Sequence, residues 1–248
     1  MHELKNKTEI GYIKQACRIV AELLAYMREM VKAGMTTRAL DNLAEEFIRR
    51  HGGTPAFKNY NGFPASICTS VNEEVIHGIP GDYRLSEGDI LSIDVGVKKA
   101  GYYGDAAITI PIGQIGPEVQ RLLTVTEESL YAGIRQAVQH NHVSDISCSI
   151  QEHVEKNGFS VVRDFVGHGI GKKLHEEPPI PNYKTPGRGL KLISGMTLAI
   201  EPMVNMQGYE VVIQKDNWTV VTKDGKPSAH FEHTVLVKDG EPEILTVI

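Results

Sequence analysis

The sequence predicts an α+β fold made of two halves related by a pseudo-twofold axis. Two observations carry this expectation. Helix-like and strand-like apolar periodicities alternate along the chain. The order of segments in the first half then recurs in the second, with matching residues at one fixed offset.

From about Thr8 to Lys32, Ile10, Ile13, Cys17, Val20, Leu24, Met27 and Val31 recur at three- and four-residue steps. That spacing puts one apolar stripe along a helix, and Gly34 is its expected stop. A second helix carries Ala39, Leu43 and Phe47 on one face and ends near Gly52 and Gly53. Short β-branched runs follow, Ile90 to Val97 and Ala106 to Ile112, which read as strands. In the second half, Val119, Leu122, Thr126, Leu130 and Ile134 mark a long helix. Ile146, Ile150 and Val154 mark a shorter one, stopped near Gly158.

A shift of 107 residues carries Ala39, Leu43 and Phe47 onto Ile146, Ile150 and Val154. The same shift carries Leu85, Gly88, Leu91, Ile93 and Asp94 onto Leu192, Gly195, Leu198, Ile200 and Glu201. The repeat units are expected near 1–112 and 113–248, packed about one shared core in a single domain, 1–248. Within the second half, the Pro- and Gly-rich stretch from Pro178 to Gly189 reads as a surface loop.

Composition narrows the function. The chain has 248 residues, 41% apolar and 23% charged, which argues against disorder. Twenty-six basic and 31 acidic side chains leave a net charge of −5, without the cationic field that drives non-specific nucleic-acid binding. No apolar run approaches the roughly 18 residues of a membrane span. The stretch from Met1 to Thr8 is polar and lacks the apolar run of a secretory signal. Cys17, Cys68 and Cys148 stand apart with no paired spacing, which points to a reducing, cytoplasmic setting.

The chemistry lies in acids placed on apolar strands. Asp94 sits in ILSIDVG and Asp105 in YYGDAAITI, joined by Lys98-Lys99-Ala100-Gly101. With the hairpin centred between Lys99 and Ala100, Asp94 and Asp105 are expected directly opposite each other, their Cβ atoms about 4.5–5.5 Å apart. Such a pair resists desolvation and repels itself. One acid takes a proton, both pair with cations, or a divalent ion sits between them. In the second half, Glu201 ends the apolar strand TLAIEP, and Glu232 lies in AHFEHTVLV. The ribbon joining them is longer, with its midpoint at the turn-prone Asp216-Asn217. A pseudo-twofold axis would bring all four acids together, and two divalent cations would balance them.

Histidines are the remaining ligand candidates. His168 lies among glycines in Val166-Gly167-His168-Gly169-Ile170-Gly171, His77 in VIHGIP and His175 in LHEEPPIP. The glycine run lacks the Gly-Lys-Ser/Thr ending of a phosphate loop, which argues against nucleotide binding. His140, His142, His153 and His230 read as surface or capping residues, and His233 stays open.

Taken in order, Val71-Asn72-Glu73-Glu74-Val75-Ile76-His77-Gly78-Ile79-Pro80, Ser92-Ile93-Asp94-Val95-Gly96, Gly101-Tyr102-Tyr103-Gly104-Asp105, Gly167-His168-Gly169-Ile170-Gly171, His175-Glu176-Glu177-Pro178, Ile200-Glu201-Pro202-Met203-Val204-Asn205 and Phe231-Glu232-His233-Thr234 form a specific set. Over nearly its whole length the chain resembles the type I methionine aminopeptidases. The resemblance implies their pita-bread fold, a central antiparallel sheet covered by helices. It implies that Asp94, Asp105, His168, Glu201 and Glu232 ligate two divalent metal ions. Asp94 would hold one ion with both oxygens, Asp105 and Glu232 would bridge the pair, and His168 and Glu201 would hold the other. All five positions carry the family's residue type.

The oxygen-rich donor set favours Mn²⁺, Fe²⁺ or Co²⁺, with Zn²⁺ acceptable. The expected reaction is removal of an N-terminal methionine by activated water, with Glu201 as general base. His175 would donate to the developing oxyanion, and His77 would position the substrate backbone or relay a proton to the leaving nitrogen. By family position, Phe57, Tyr60, Phe63, Cys68, Leu174 and Trp218 would line the methionine slot. Phe57, Phe63 and Leu174 depart from the residues usual in bacterial relatives, which bears on side-chain fit and not on metal binding.

The resemblance also implies nascent polypeptide N-termini as substrates, a transient ribosome contact and a monomer. Two other readings differ in kind. A proline-directed pita-bread relative would usually carry an extra N-terminal domain, for which this chain leaves no room. A non-catalytic binding module would have lost ligands, and here all five remain.

Overall fold

A computed structural model of the chain describes residues 4–248. Of the N-terminal stretch read above as lacking a signal sequence, the first three residues lie outside this range. In chain order the elements are α1 (Lys7–Met30), α2 (Thr37–Arg50), β1 (Thr54–Pro55), β2 (Cys68–Val71), β3 (Glu74–Ile76), β4 (Ile90–Lys99) and β5 (Tyr102–Pro111). Then come α3 (Pro117–Ile134), α4 (Val143–Lys156), β6 (Ser160–Val161), β7 (Gly167–Gly169), β8 (Glu176–Ile180), β9 (Thr197–Ile200) and β10 (Met203–Asn205). The chain closes with β11 (Val211–Ile213), β12 (Val220–Thr222), β13 (Ser228–His230), β14 (Glu232–Leu236) and β15 (Glu243–Ile244).

Local chemistry sets the helix bounds. Asn6 caps α1 by accepting from the backbone of Thr8 and Glu9, while Glu9 accepts from Asn6 N. The helix stops at Val31, which is extended, and the chain turns away at Gly34 with φ +89°. Thr36 caps α2 through Ala39 N. The apolar stripe of α1 packs on β4 and β5, and α3 packs against α4. Leu23, Met27, Leu40, Ile48, Leu91, Ile93, Leu122, Ile146 and Leu198 belong to one buried cluster that spans both halves. Among the described residues, no helix is long and apolar enough to cross a membrane.

The main sheet runs β1-β4-β5-β14-β9-β7-β8, with β2 also on β4 and β15 also on β14. Each half therefore supplies one antiparallel ribbon to the centre, β4–β5 from the first and β9–β14 from the second. The ribbons meet where β5 pairs with β14, Ala107 opposite Glu232 and Ala106 opposite His233.

The first ribbon corrects the expected register. Asp94 pairs with Ala107, and Asp105 pairs with Gly96. The turn is the two-residue loop Ala100-Gly101, with φ +51° and +84°, between paired Lys99 and Tyr102. Two positive φ values give the twist that suits right-twisted strands, so the hairpin centre lies one residue later than the charges of Lys98 and Lys99 suggested. The two acids keep to one face but sit diagonally.

The second ribbon turns where expected. Ile200 opposes His233, Met203 opposes His230, Val211 opposes Thr222 and Ile213 opposes Val220, all in one register. Its tip is Asp216-Asn217, with Asn217 at φ +64° and Asp216 accepting from Trp218 N and Thr219 N. Phe231 N donates to Pro202 O, so the register runs through this gap and puts Glu201 across from Glu232.

The stretch from Pro178 to Gly189 is only partly a loop. Pro178, Pro179 and Ile180 belong to β8, which pairs with β7 at the end of the sheet order. An edge strand tolerates proline because its outward N–H needs no partner.

Ala100 is an L-residue held in left-handed backbone. Ala100→Asn, which makes the favoured Asn-Gly turn, should stabilise the protein by about 1 kcal/mol. Urea unfolding should show a higher midpoint at unchanged slope.

Candidate metal centre

The sheet delivers its acids to one interior point. Asp105 comes from β5, Glu232 from β14 and His168 from β7, and one donor atom from each lies within 4.8 Å of the others. Glu201 Oε1 stands 3.5 Å from His168 Nε2. Asp94 faces the same space. Asp105 and Glu232 are 3% and 2% exposed. Asp94 Oδ1, Asp105 Oδ1 and Glu232 Oε1 are buried without any hydrogen-bond partner. Buried polar atoms are nearly always paired, so three orphaned carboxylate oxygens in one cavity call for a positive charge.

Electrostatics agree. Burial pushes the Asp94 carboxyl up to about 7. Burial first, then repulsion from Glu232 and Asp94, raises Asp105 well above the carboxylate range. Glu201 is raised by burial and by Asp94 and Asp105, and Glu232 by burial and by Glu201 and Asp94. Burial lowers His168 to about 3, leaving the neutral imidazole, the form able to ligate a metal. Its Nδ1 lies 2.9 Å from Gly169 O, and donation there leaves the Nε2 lone pair facing Glu201. A divalent cation fits this donor set of four carboxylates and one neutral nitrogen. Burial and the nearby acids also push the Cys68 thiol up.

The glycines around His168 answer to backbone, not to a phosphate. A Cβ on Gly167 would lie 2.4 Å from Ala199 O, and one on Gly169 would lie 2.3 Å from Glu177 O. Only glycine lets β7 squeeze between β9 and β8 and aim His168 inward. A Cβ on Gly171 would lie 2.4 Å from Cε of Lys5. The Lys5 ammonium is 2.6 Å from Glu176 Oε2, which ties the N-terminal segment to the strand that follows His175.

The same cavity, about 190 Å³, is lined by every residue singled out from the sequence. Phe57, Phe63, Cys68 and Leu174 form an apolar cluster with Tyr60 and Trp218 packed on it. Phe63 meets Trp218 edge-on at 5.2 Å. Phe57 fits because Gly96 opposite has no side chain, and a Cβ there would lie 2.5 Å from the Phe57 ring. Tyr60 Oη lies 2.8 Å from His175 Nδ1. The His175 ring stands perpendicular to His168 at 4.3 Å. His77 holds left-handed backbone, φ +59°, with its ring edge-on to Phe165 and Trp218. Strain of that kind is kept where the surroundings hold a residue in place for use. Burial lowers His77 to about 4.

Two residues escaped the sequence reading. Asn61 also lines the cavity, in the short 3₁₀ turn Tyr60–Gly62. Asn59-Tyr60-Asn61-Gly62 carried the turn signal for it. His230 is the larger correction. It is 1% exposed, not a surface residue, and its Nε2 lies 3.9 Å from Glu201 Oε2. Strand alternation gave the clue, since His230 precedes Glu232 by two positions and so shares its face. His142 does serve as the cap of α4, donating its N–H to Asp145.

Comparison with known proteins follows the same lines. Residues 11–239 match the model of metallopeptidase family M24. The methionine aminopeptidase of Clostridium perfringens is 56% identical over 245 residues, covering 99% of this chain and 98% of that protein. Among solved structures, the methionine aminopeptidase of Thermotoga maritima superposes with a TM-score of 0.98 at 45% identity, over all of both chains. That of Rickettsia prowazekii gives 0.97 at 41%, again over both whole chains. The shared architecture is the pita-bread fold.

The raised carboxyls carry a testable sign. A folded-state pKa above the unfolded value favours folding at low pH, and that stability is lost as pH rises through the folded pKa. Metal-free protein should therefore lose this contribution between about pH 4 and the Asp94 value of about 7. The rise in Tm caused by saturating Mn²⁺ should grow from pH 5 to 7.5 in thermal scans. A rise that shrinks with pH would contradict the assignment.

Proposed function

The chain belongs to metallopeptidase family M24, and from that premise we propose that it works as a methionine aminopeptidase on nascent polypeptides and peptides with a small second residue. The observation that carries this reading is a set of orphaned buried carboxylate oxygens beside an apolar slot. In this reading the whole chain, 1–248, is one catalytic domain whose pseudo-related halves, 1–112 and 113–248, each contribute two of the four acids.

Asp94 would hold one ion, His168 and Glu201 a second, and Asp105 and Glu232 both. Bound there, two divalent ions, Co²⁺, Mn²⁺, Fe²⁺ or Zn²⁺, supply the charge that acidifies an attacking water and polarises the scissile carbonyl. Glu201 takes the proton of that water as general base. His175, the more exposed imidazole at the cavity, donates a hydrogen bond to the developing oxyanion. With Tyr60 Oη donating to Nδ1, the His175 Nε2 carries the proton for this task. His77 holds the substrate backbone, its ring kept in place by Phe165 and Trp218, and passes a proton towards the leaving nitrogen. The methionine side chain enters the slot of Phe57, Tyr60, Phe63, Cys68, Leu174 and Trp218. The expected setting is cytoplasmic and monomeric, with a transient ribosome contact.

Incubation of Met-Ala-Ser with the Mn²⁺- or Co²⁺-loaded protein should release methionine. Glu201→Ala should abolish release, and so should chelation. His175→Ala should lower kcat by about 10²–10³. Cleavage restricted to Xaa-Pro peptides, or turnover that survives Glu201→Ala, would overturn the proposal.

A further inference from the structure

His230 has no part in the reading above, yet it is among the best-fixed side chains near the centre. Its backbone is fastened to β5, since Thr109 Oγ1 donates to His230 O at 2.8 Å and accepts from His230 N at 2.9 Å. Thr109 in turn shares a 2.8 Å hydrogen bond with Ser92 on β4. The ring is 1% exposed, and its Nε2 has no partner.

Glu201 lies between two imidazoles. Oε1 faces His168 Nε2 at 3.5 Å, and Oε2 faces His230 Nε2 at 3.9 Å. His230 meets the Glu201 oxygen opposite the one that faces His168, and so stands behind the carboxylate.

We propose that His230 is a positioning residue for Glu201: its Nε2–H holds Oε2 and so keeps Oε1 turned towards His168 and the reacting water. The terminal torsion of a glutamate is broad and roughly two-fold, so an unrestrained carboxylate would swing. A donor behind it removes that freedom. Closing the gap to hydrogen-bond length needs a shift of about 1 Å, which a small carboxylate rotation supplies, or one bridging water. Glu201 is the carboxylate that the His230 Nε2 faces, at 3.9 Å.

The inference rests on Glu201 acting as base and ligand, and the experiment separates the two. His230→Met keeps apolar bulk without a donor, and His230→Gln keeps an N–H of similar reach. Both are compared with the full-length wild type for kcat and KM on Met-Ala-Ser, for Co²⁺ affinity by calorimetry, and for thermal unfolding. The Met variant should lose about 10–100-fold in kcat or in Co²⁺ affinity, with KM within about two-fold. The Gln variant should stay within about three-fold of wild type. Wild-type kcat and Co²⁺ affinity in the Met variant would overturn the proposal. So would a Gln variant that falls more than ten-fold, and this arm stands even where the Met variant does not fold. Activity that survives Glu201→Ala would instead overturn the reading of Glu201 itself.

Discussion

Four carboxylates sharing one buried space is the constraint on which the rest of the structure depends. Asp105 and Glu232 are almost fully buried, Asp94 and Glu201 lie against them, and the protein gives three of their oxygens no donor. Like charges so placed push one another's pKa values up, and burial pushes them further. The nitrogen bases set against Glu201 are the imidazoles of His168 and His230. A divalent cation would balance the group, and family M24 is a family of metallopeptidases.

The fold can be understood as the means of holding that unfavourable set in place. Each acid sits on or at the end of a strand in the middle of the sheet, where neighbours on both sides fix the backbone. The β5–β14 junction joins the ribbons at Ala107 and Glu232, so Glu232 lies at their seam. Glycines at 167 and 169 let β7 press close enough to add His168. Gly96 makes room for Phe57, and the same strand that carries Asp94 thus shapes the slot. Lys5 ties the N-terminal segment to Glu176, beside His175. The acids and the apolar cluster thus share one cavity wall, as the proposed reaction requires.

Much of this was legible in the sequence, for physical reasons. An acid inside an apolar strand is costly, so Asp94, Asp105, Glu201 and Glu232 announced themselves. The Asp216-Asn217 turn was legible too, since one register runs the full length of the second ribbon. The first hairpin was misplaced by one residue, because Ala100 is a poor signal for the positive φ it adopts. Pro178 and Pro179 masked an edge strand whose pairing tolerates them. His230 was set aside with the surface and capping histidines although it shares a strand face with Glu232, and only the fold brings Glu201 to its ring. The choice of His168 over His77 and His175 came from resemblance. All three line the cavity, and His168 is set apart by its place on β7 beside Asp105, Glu232 and Glu201.

The most direct experiment is anomalous diffraction from crystals grown with Mn²⁺. Two strong peaks should lie within the cavity, one against Asp94 and one against His168 and Glu201, with Asp105 and Glu232 between them. Peaks confined to the protein surface, with the four carboxylates left facing one another, would contradict the dinuclear centre.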